Sequence, residues 1–144
     1  MAMYYIGIDP GKETGLAVWD GTRKQFRTVQ TCTIVHALEF CFKLWEMERP
    51  GEIELYVEDA RQRSWLPREK SISEYRGKLM GAGSVKRDCT IWQEFSEEYG
   101  IPLHLVPPRP GMTKWSPEYF KTITGWTGRT SEHARDAALL VFQR

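Results

Sequence analysis

Two short apolar runs in this chain each break off on an acidic side chain, and the segments between them leave few ways to fold. Tyr4 to Asp9 reads as a short buried strand that stops at Asp9, followed by the turn residues Pro10, Gly11, Lys12 and Glu13. Glu54 to Glu58 reads as a second such strand, ending on Glu58 and Asp59. Between them, Thr14 to Trp19 forms a strand closed by Asp20-Gly21, a hairpin signal, and Lys24 to Gln30 alternates as a third. Thr33 to Glu48 then carries Ile34, Ala37, Leu38, Cys41, Phe42 and Trp45 at helical spacing, and Pro50-Gly51 stops it. A helical crossover lets the strand ending at Glu58 lie parallel to the one ending at Asp9.

The remainder completes an α/β pattern. Arg61 to Lys70 reads as an exposed loop, and Ser73 to about Tyr99 as a long helix or a pair broken near Gly81 and Gly83. Leu103 to Val106 is a strand stopped by Pro107-Pro108. Ser116 to Thr124 suits a short helix with Pro117 in its first turn. Thr130 or Ser131 can cap a last helix running to about Phe142. The order is that of a five-stranded mixed sheet with helices on both faces.

Length and composition narrow the function classes. A chain of 144 residues, 41% hydrophobic, suits one domain with one real core. Cys32, Cys41 and Cys89 are odd in number and form no CxxC pair, which speaks against a disulfide framework or a zinc site and fits a reducing cytoplasm. The N-terminus lacks the pattern of a signal peptide, and no apolar stretch approaches a membrane span. Net charge is only +1, yet the window from Arg61 to Asp88 holds eight basic residues against three acidic ones. Such a stretch either tracks a phosphate backbone or is a solvated helical face.

Four side chains stand out by position. Asp9 and Glu58 end strands that would be neighbours, and His133 and Asp136 stand three apart on one face of the last helix. Adjacent carboxylates repel, and a cation between them relieves the repulsion. Mg²⁺ takes oxygen ligands and Mn²⁺ also accepts imidazole. Two such ions, roughly 4 Å apart, activate a water and stabilise the leaving oxygen of a phosphodiester. Each residue alone has a plainer reading: a turn-forming Asp, a surface His. Asp136 is the least ordinary, because an unpaired charge in an alanine-rich and leucine-rich helix is costly.

Gly7-Ile8-Asp9-Pro10-Gly11 followed by Thr14-Gly15 resembles the opening of the RuvC Holliday-junction resolvases. Tyr56-Val57-Glu58 resembles their second catalytic strand, Gly81-Ala82-Gly83 their dimerisation helix, and Leu103 to Pro108 their fifth strand. The segment from Ser131 to Leu140, which reads HARDAALL from His133, resembles the terminal motif of that family. The matches run in order over nearly the whole chain. The resemblance implies an RNase H-like fold with strand order 3-2-1-4-5, a homodimer, and paired symmetric nicks across four-way or other branched DNA. By motif position it makes Asp9, Glu58, His133 and Asp136 the ligands of Mg²⁺ or Mn²⁺, two per active site. It places Lys114 at the scissile phosphate. The chain is shorter than typical bacterial members, as a phage or prophage version would be.

Asp59 departs from that pattern. It is either a second acid behind the site or the outward neighbour of an inward Glu58, and strand alternation favours the second. The basic loop after Glu58 would project beside the metal site. Its Arg61, Arg63, Arg68 and Lys70, with Arg76 beyond, would hold phosphates. Trp65 either stacks on an unpaired base or packs within the protein. The following helix carries more apolar residues than one sheet contact needs, among them Leu79, Met80, Ala82, Val85, Ile91, Trp92 and Phe95. These serve either a dimer interface or core packing on two sides. Three rival functions share part of this pattern. A phosphate-binding ATPase of the actin and sugar-kinase type needs two lobes, and this chain has length for one. Another RNase H-type nuclease, acting on hybrids or forks, would share the metal chemistry. A non-catalytic junction binder would not need all four candidate ligands.

Overall fold

A computed structural model describes residues 3–48, 51–62, 72–108 and 114–144, with the side chains of 72–82 excepted. In chain order the elements are β1 (Tyr4–Asp9), β2 (Thr14–Asp20), β3 (Gln25–Cys32), α1 (Ile34–Met47), β4 (Ile53–Glu58), α2 (Ile72–Tyr99), β5 (Leu103–Val106), α3 (Pro117–Thr124) and α4 (Glu132–Leu139). A single 3₁₀ turn, Ala60–Gln62, follows β4. The strands form one five-stranded sheet in the order β3-β2-β1-β4-β5. β1 and β2 pair antiparallel, as do β2 and β3, whereas β4 runs parallel to both β1 and β5. This is the expected mixed α/β sheet.

Alternation along the strands divides the interior into two layers. Ile6 and Ile8 of β1 share one face with Leu16, Val18, Leu55 and Val57, and that face is covered by Ala37, Cys41 and Leu44 of α1 and Trp92 of α2. The opposite face carries Ala17, Trp19, Phe26, Val29 and Tyr56 beneath Phe120 of α3 and Ala134, Ala137 and Ala138 of α4. Helices therefore cover both faces, and Asp9, one residue after Ile8, belongs to the α4 side.

Local chemistry sets the element ends. Thr33 caps α1 by accepting from the His36 amide. Asp20 accepts from the amides of Thr22 and Arg23, and Lys24 takes a left-handed φ of 55°, so the β2–β3 connection is longer than a two-residue hairpin. α2 is continuous across Gly81 and Gly83 rather than broken, and Gly100, at φ 69°, follows its end. Of its apolar residues, Trp92 is fully buried and Phe95 packs on the same core. Val85 and Ile91 are half-buried, and the side chains of Leu79, Met80 and Ala82 lie outside the described residues. α4 stops at Leu139, short of the expected Phe142, although turn hydrogen bonds continue to that residue. Among the described residues no helix is long and apolar enough to cross a membrane.

Candidate active site

The parallel register of β1 and β4 ends at Ile8 opposite Val57, so Asp9 and Glu58 leave the sheet at the same level. What brings α4 over them is a pair of glycines. A Cβ on Gly7 would collide with the carbonyl oxygen of Ala137, and one on Gly15 with that of His133. Gly15 is the cross-strand partner of Asp9. Only bare backbone at these two positions lets the helix lie directly against the strands. Ser131 caps α4 by accepting from the Ala134 amide, and its hydroxyl also bonds to Thr31 of β3. The first turn of α4 is thus fixed over the sheet, with His133 and Asp136 on the side of Asp9.

The result is a small, crowded cluster. His133 Nδ1 lies 3.1 Å from Asp9 Oδ2. Lys114 Nζ lies 2.6 Å from Asp136 Oδ2 and 3.6 Å from Glu132 Oε1. Burial, and then the charge of Glu58, push the Asp9 carboxyl up to about 7, with Asp136 adding to the rise and His133 opposing it. Burial opposes the charge of Lys114, but its bond to Asp136 and the charges of Asp136, Glu132 and Glu58 outweigh this and hold its pKa above the ordinary lysine range. Asp9, Glu58, His133, Asp136 and Lys114, spread from residue 9 to residue 136, therefore share one site. Among the described residues no three His, Cys, Asp or Glu side chains already form a metal-holding group. The carboxylates of Asp9 and Asp136 lean instead on His133 and Lys114.

Asp59 and Arg61 are placed differently from the sequence expectation. Asp59 does turn away from the side of Glu58, but it is buried, not solvent-facing. Arg61 Nε donates to its Oδ1 at 2.8 Å and Arg61 Nη2 to its Oδ2 at 3.1 Å, a forked ion pair. Arg61 Nη1 donates to Gln93 of α2 at 2.9 Å. Burial alone would raise the Asp59 carboxyl, but the bonds from Arg61 and Gln62 hold it below the usual range. Arg61, expected on DNA phosphate, is thus engaged within the protein. Arg63, Trp65, Arg68 and Lys70 lie outside the described residues, as does the side chain of Arg76.

Other groups at the site were not singled out from the sequence. Arg135, between His133 and Asp136, donates from Nε to the Trp115 carbonyl at 2.9 Å and from Nη1 to the Thr130 carbonyl at 2.8 Å. It ties the segment carrying Lys114 to α4. Glu132 adds an acid beside Lys114. A cleft of about 330 Å³ opens off the cluster, lined by Glu58, Lys114 and Asp136 and by the apolar Trp115, Leu140 and Phe142. An arginine inside a motif and a tryptophan beside a loop lysine were the available signals, but neither names its partner.

The architecture has a solved counterpart. A RuvC of T. thermophilus, in complex with a Holliday junction substrate, superposes with a TM-score of 0.55 at 18% identity, covering 98% of this chain and 92% of that one. The chain shares the fold of RuvC. No protein-family model and no curated protein matches its sequence. Within the RuvC fold, the site lies where β1 and β4 end side by side beneath the last helix.

Proposed function

We propose that the chain is a metal-dependent, structure-specific endodeoxyribonuclease that acts on four-way or other branched DNA. It would work as one nuclease domain over residues 1–144 and as a homodimer placing paired, symmetric nicks. The observation that carries the reading is the convergence of Asp9, Glu58, His133 and Asp136 at the ends of two parallel strands beneath α4. The likeness of fold to a RuvC solved with a Holliday junction supports the substrate class.

The donor set fits hard divalent cations. Burial and two neighbouring acids hold the Asp9 carboxyl up to about 7, the repulsion a bound cation relieves. Asp9, Glu58, His133 and Asp136 would hold Mg²⁺ or Mn²⁺, two ions per site, which supply Lewis acidity for hydrolysis of a phosphodiester. The protein's own groups do the rest. His133 orients the Asp9 carboxylate through its ring nitrogen. Lys114, on a flexible and largely exposed stem, trades its bond with Asp136 for the scissile phosphate and offsets charge that builds on it. Arg63, Trp65, Arg68, Lys70 and Arg76 follow Glu58 in sequence and join the DNA-binding set on sequence grounds. Arg61 is omitted because its guanidinium is already bound.

Purified protein with Mg²⁺ or Mn²⁺ should nick a synthetic four-way junction at symmetric positions. Asp9→Asn should abolish nicking and keep junction binding. Preference for an RNA–DNA hybrid across a substrate panel would redirect the reading to another RNase H-type nuclease, and binding without any metal-dependent nicking would reduce it to a junction binder.

A further inference from the structure

The cleft beside the acid cluster has no part in hydrolysis as described, yet it is continuous with it. Glu58, Lys114 and Asp136 line it together with the apolar Trp115, Leu140 and Phe142. A second hollow is lined by Lys114, Trp115, Ser116 and Tyr119. Trp115 and Lys114 therefore line both concavities, an aromatic wall with a cation beside it in each.

The aromatic wall is built rigidly. The Trp115 carbonyl is held by Arg135 of α4. The next residue, Ser116, caps α3 by accepting from the Tyr119 amide at 3.1 Å. Tyr119 meets the Trp115 ring edge-on with centroids 4.9 Å apart, and Phe142 does so at 6.4 Å. Tyr119 itself is 50% exposed, a large aromatic left in solvent next to a lysine. Arg144 also lines the cleft, where it lies over the Tyr56 ring, 4.4 Å from its centroid, and donates from Nε to the Leu140 carbonyl at 3.3 Å. A lysine beside exposed aromatic surface matches one unstacked nucleotide: phosphate on the charge, base on the ring.

We propose that Trp115 and Tyr119 form a nucleobase-stacking subsite that takes the unpaired base flanking the phosphate held at the acid cluster. The proposal rests on the nuclease reading above and deepens it by naming what the enzyme grips beside the cut. It requires a strand that can expose a base, which a branch point offers and an intact duplex resists. The cleavage position would therefore sit at or next to the branch.

Photo-crosslinking tests this with the full chain. A four-way junction carries 5-iodouracil at the position flanking the mapped nick, and a second junction carries it well inside one arm. Complexes form in Ca²⁺, are irradiated, and the adduct is located by peptide mass spectrometry. The expected adduct falls on Trp115 or Tyr119 from the flanking position and on neither from the arm. Tyr119→Ala, at an exposed position that folding tolerates, should weaken junction binding about tenfold, as loss of one stacked base does. An adduct on Trp115 should vanish in Trp115→Leu, and one on Tyr119 in Tyr119→Ala. Nicking with adducts elsewhere, or unchanged affinity in Tyr119→Ala, overturns the subsite and leaves the nuclease reading intact. A wild-type protein that binds no branched DNA overturns both.

Discussion

Replacing Asp9 by Asn should make the metal-free protein more stable, although most substitutions at a half-closed site do the reverse. The folded chain raises this carboxyl from 3.8 to about 7 because it sits buried beside Glu58 and Asp136. Such a group keeps its proton in the folded state after the unfolded state has released it. Stability therefore falls as pH rises from 3.8 towards about 7, and above that the whole deficit is present. A rise of about three units at about 1.36 kcal/mol each sets an upper bound of about 4 kcal/mol. Asn removes the charge and keeps an oxygen for His133 Nδ1–H. We expect a gain of about 2–4 kcal/mol at pH 8 in EDTA, or about 5–15 °C in Tm for a chain of this size. At pH 3.5 the two proteins should melt together. Thermal melts of both from pH 3.5 to 8 provide the measurement, and pairing the variants cancels every other titrating group. Mn²⁺ or Mg²⁺ should then raise the Tm of the wild type and leave Asp9→Asn nearly unmoved, since binding to the folded state alone stabilises it. Parallel Tm–pH curves for the two proteins, or a less stable Asn variant at pH 8, would refute the claim that crowded carboxylates store this energy.

Three further outcomes follow from the same geometry. Gly15→Ala should cost about 1–3 kcal/mol in urea unfolding and diminish the metal-induced rise in Tm, because a methyl there pushes His133 off the sheet, whereas Gly83→Ala, with open space around it, should leave stability unchanged or raised. Asp59→Ala should cost about 2 kcal/mol by removing the buried acceptor of Arg61 and Gln62, with Arg61 left to Gln93 alone. Since the pairing depresses the Asp59 carboxyl, its contribution should fade in acid melts as pH drops below the ordinary Asp range, and Asp59→Ala should lose that dependence. Lys114→Met should tighten Mn²⁺ binding in a calorimetric titration, by freeing Asp136, while lowering the nicking rate about a hundredfold.

What the sequence disclosed and what it withheld divide along a physical line. Strand alternation, acid-terminated runs and the i, i+3 pair in HARD are properties of neighbouring residues, and they paired Asp9 with Glu58 and His133 with Asp136, whereas joining the two pairs in one site came with the family resemblance. The continuity of α2 was less legible, because Gly81 and Gly83 weigh against helix locally by about 1 kcal/mol each, while the burial of Trp92 that opposes them depends on the sheet. Arginines were the least legible of all. Arg61 and Arg135 look alike as free cations in the sequence, yet one is committed to Asp59 and Gln93 and the other to Trp115 and Thr130. A guanidinium offers five donors in a rigid fork, so its partners are chosen by whichever acceptors the fold brings near. Charge counted along the chain therefore overstates the cations available to any anionic partner, and the number left free is set only after the internal acceptors have taken their share.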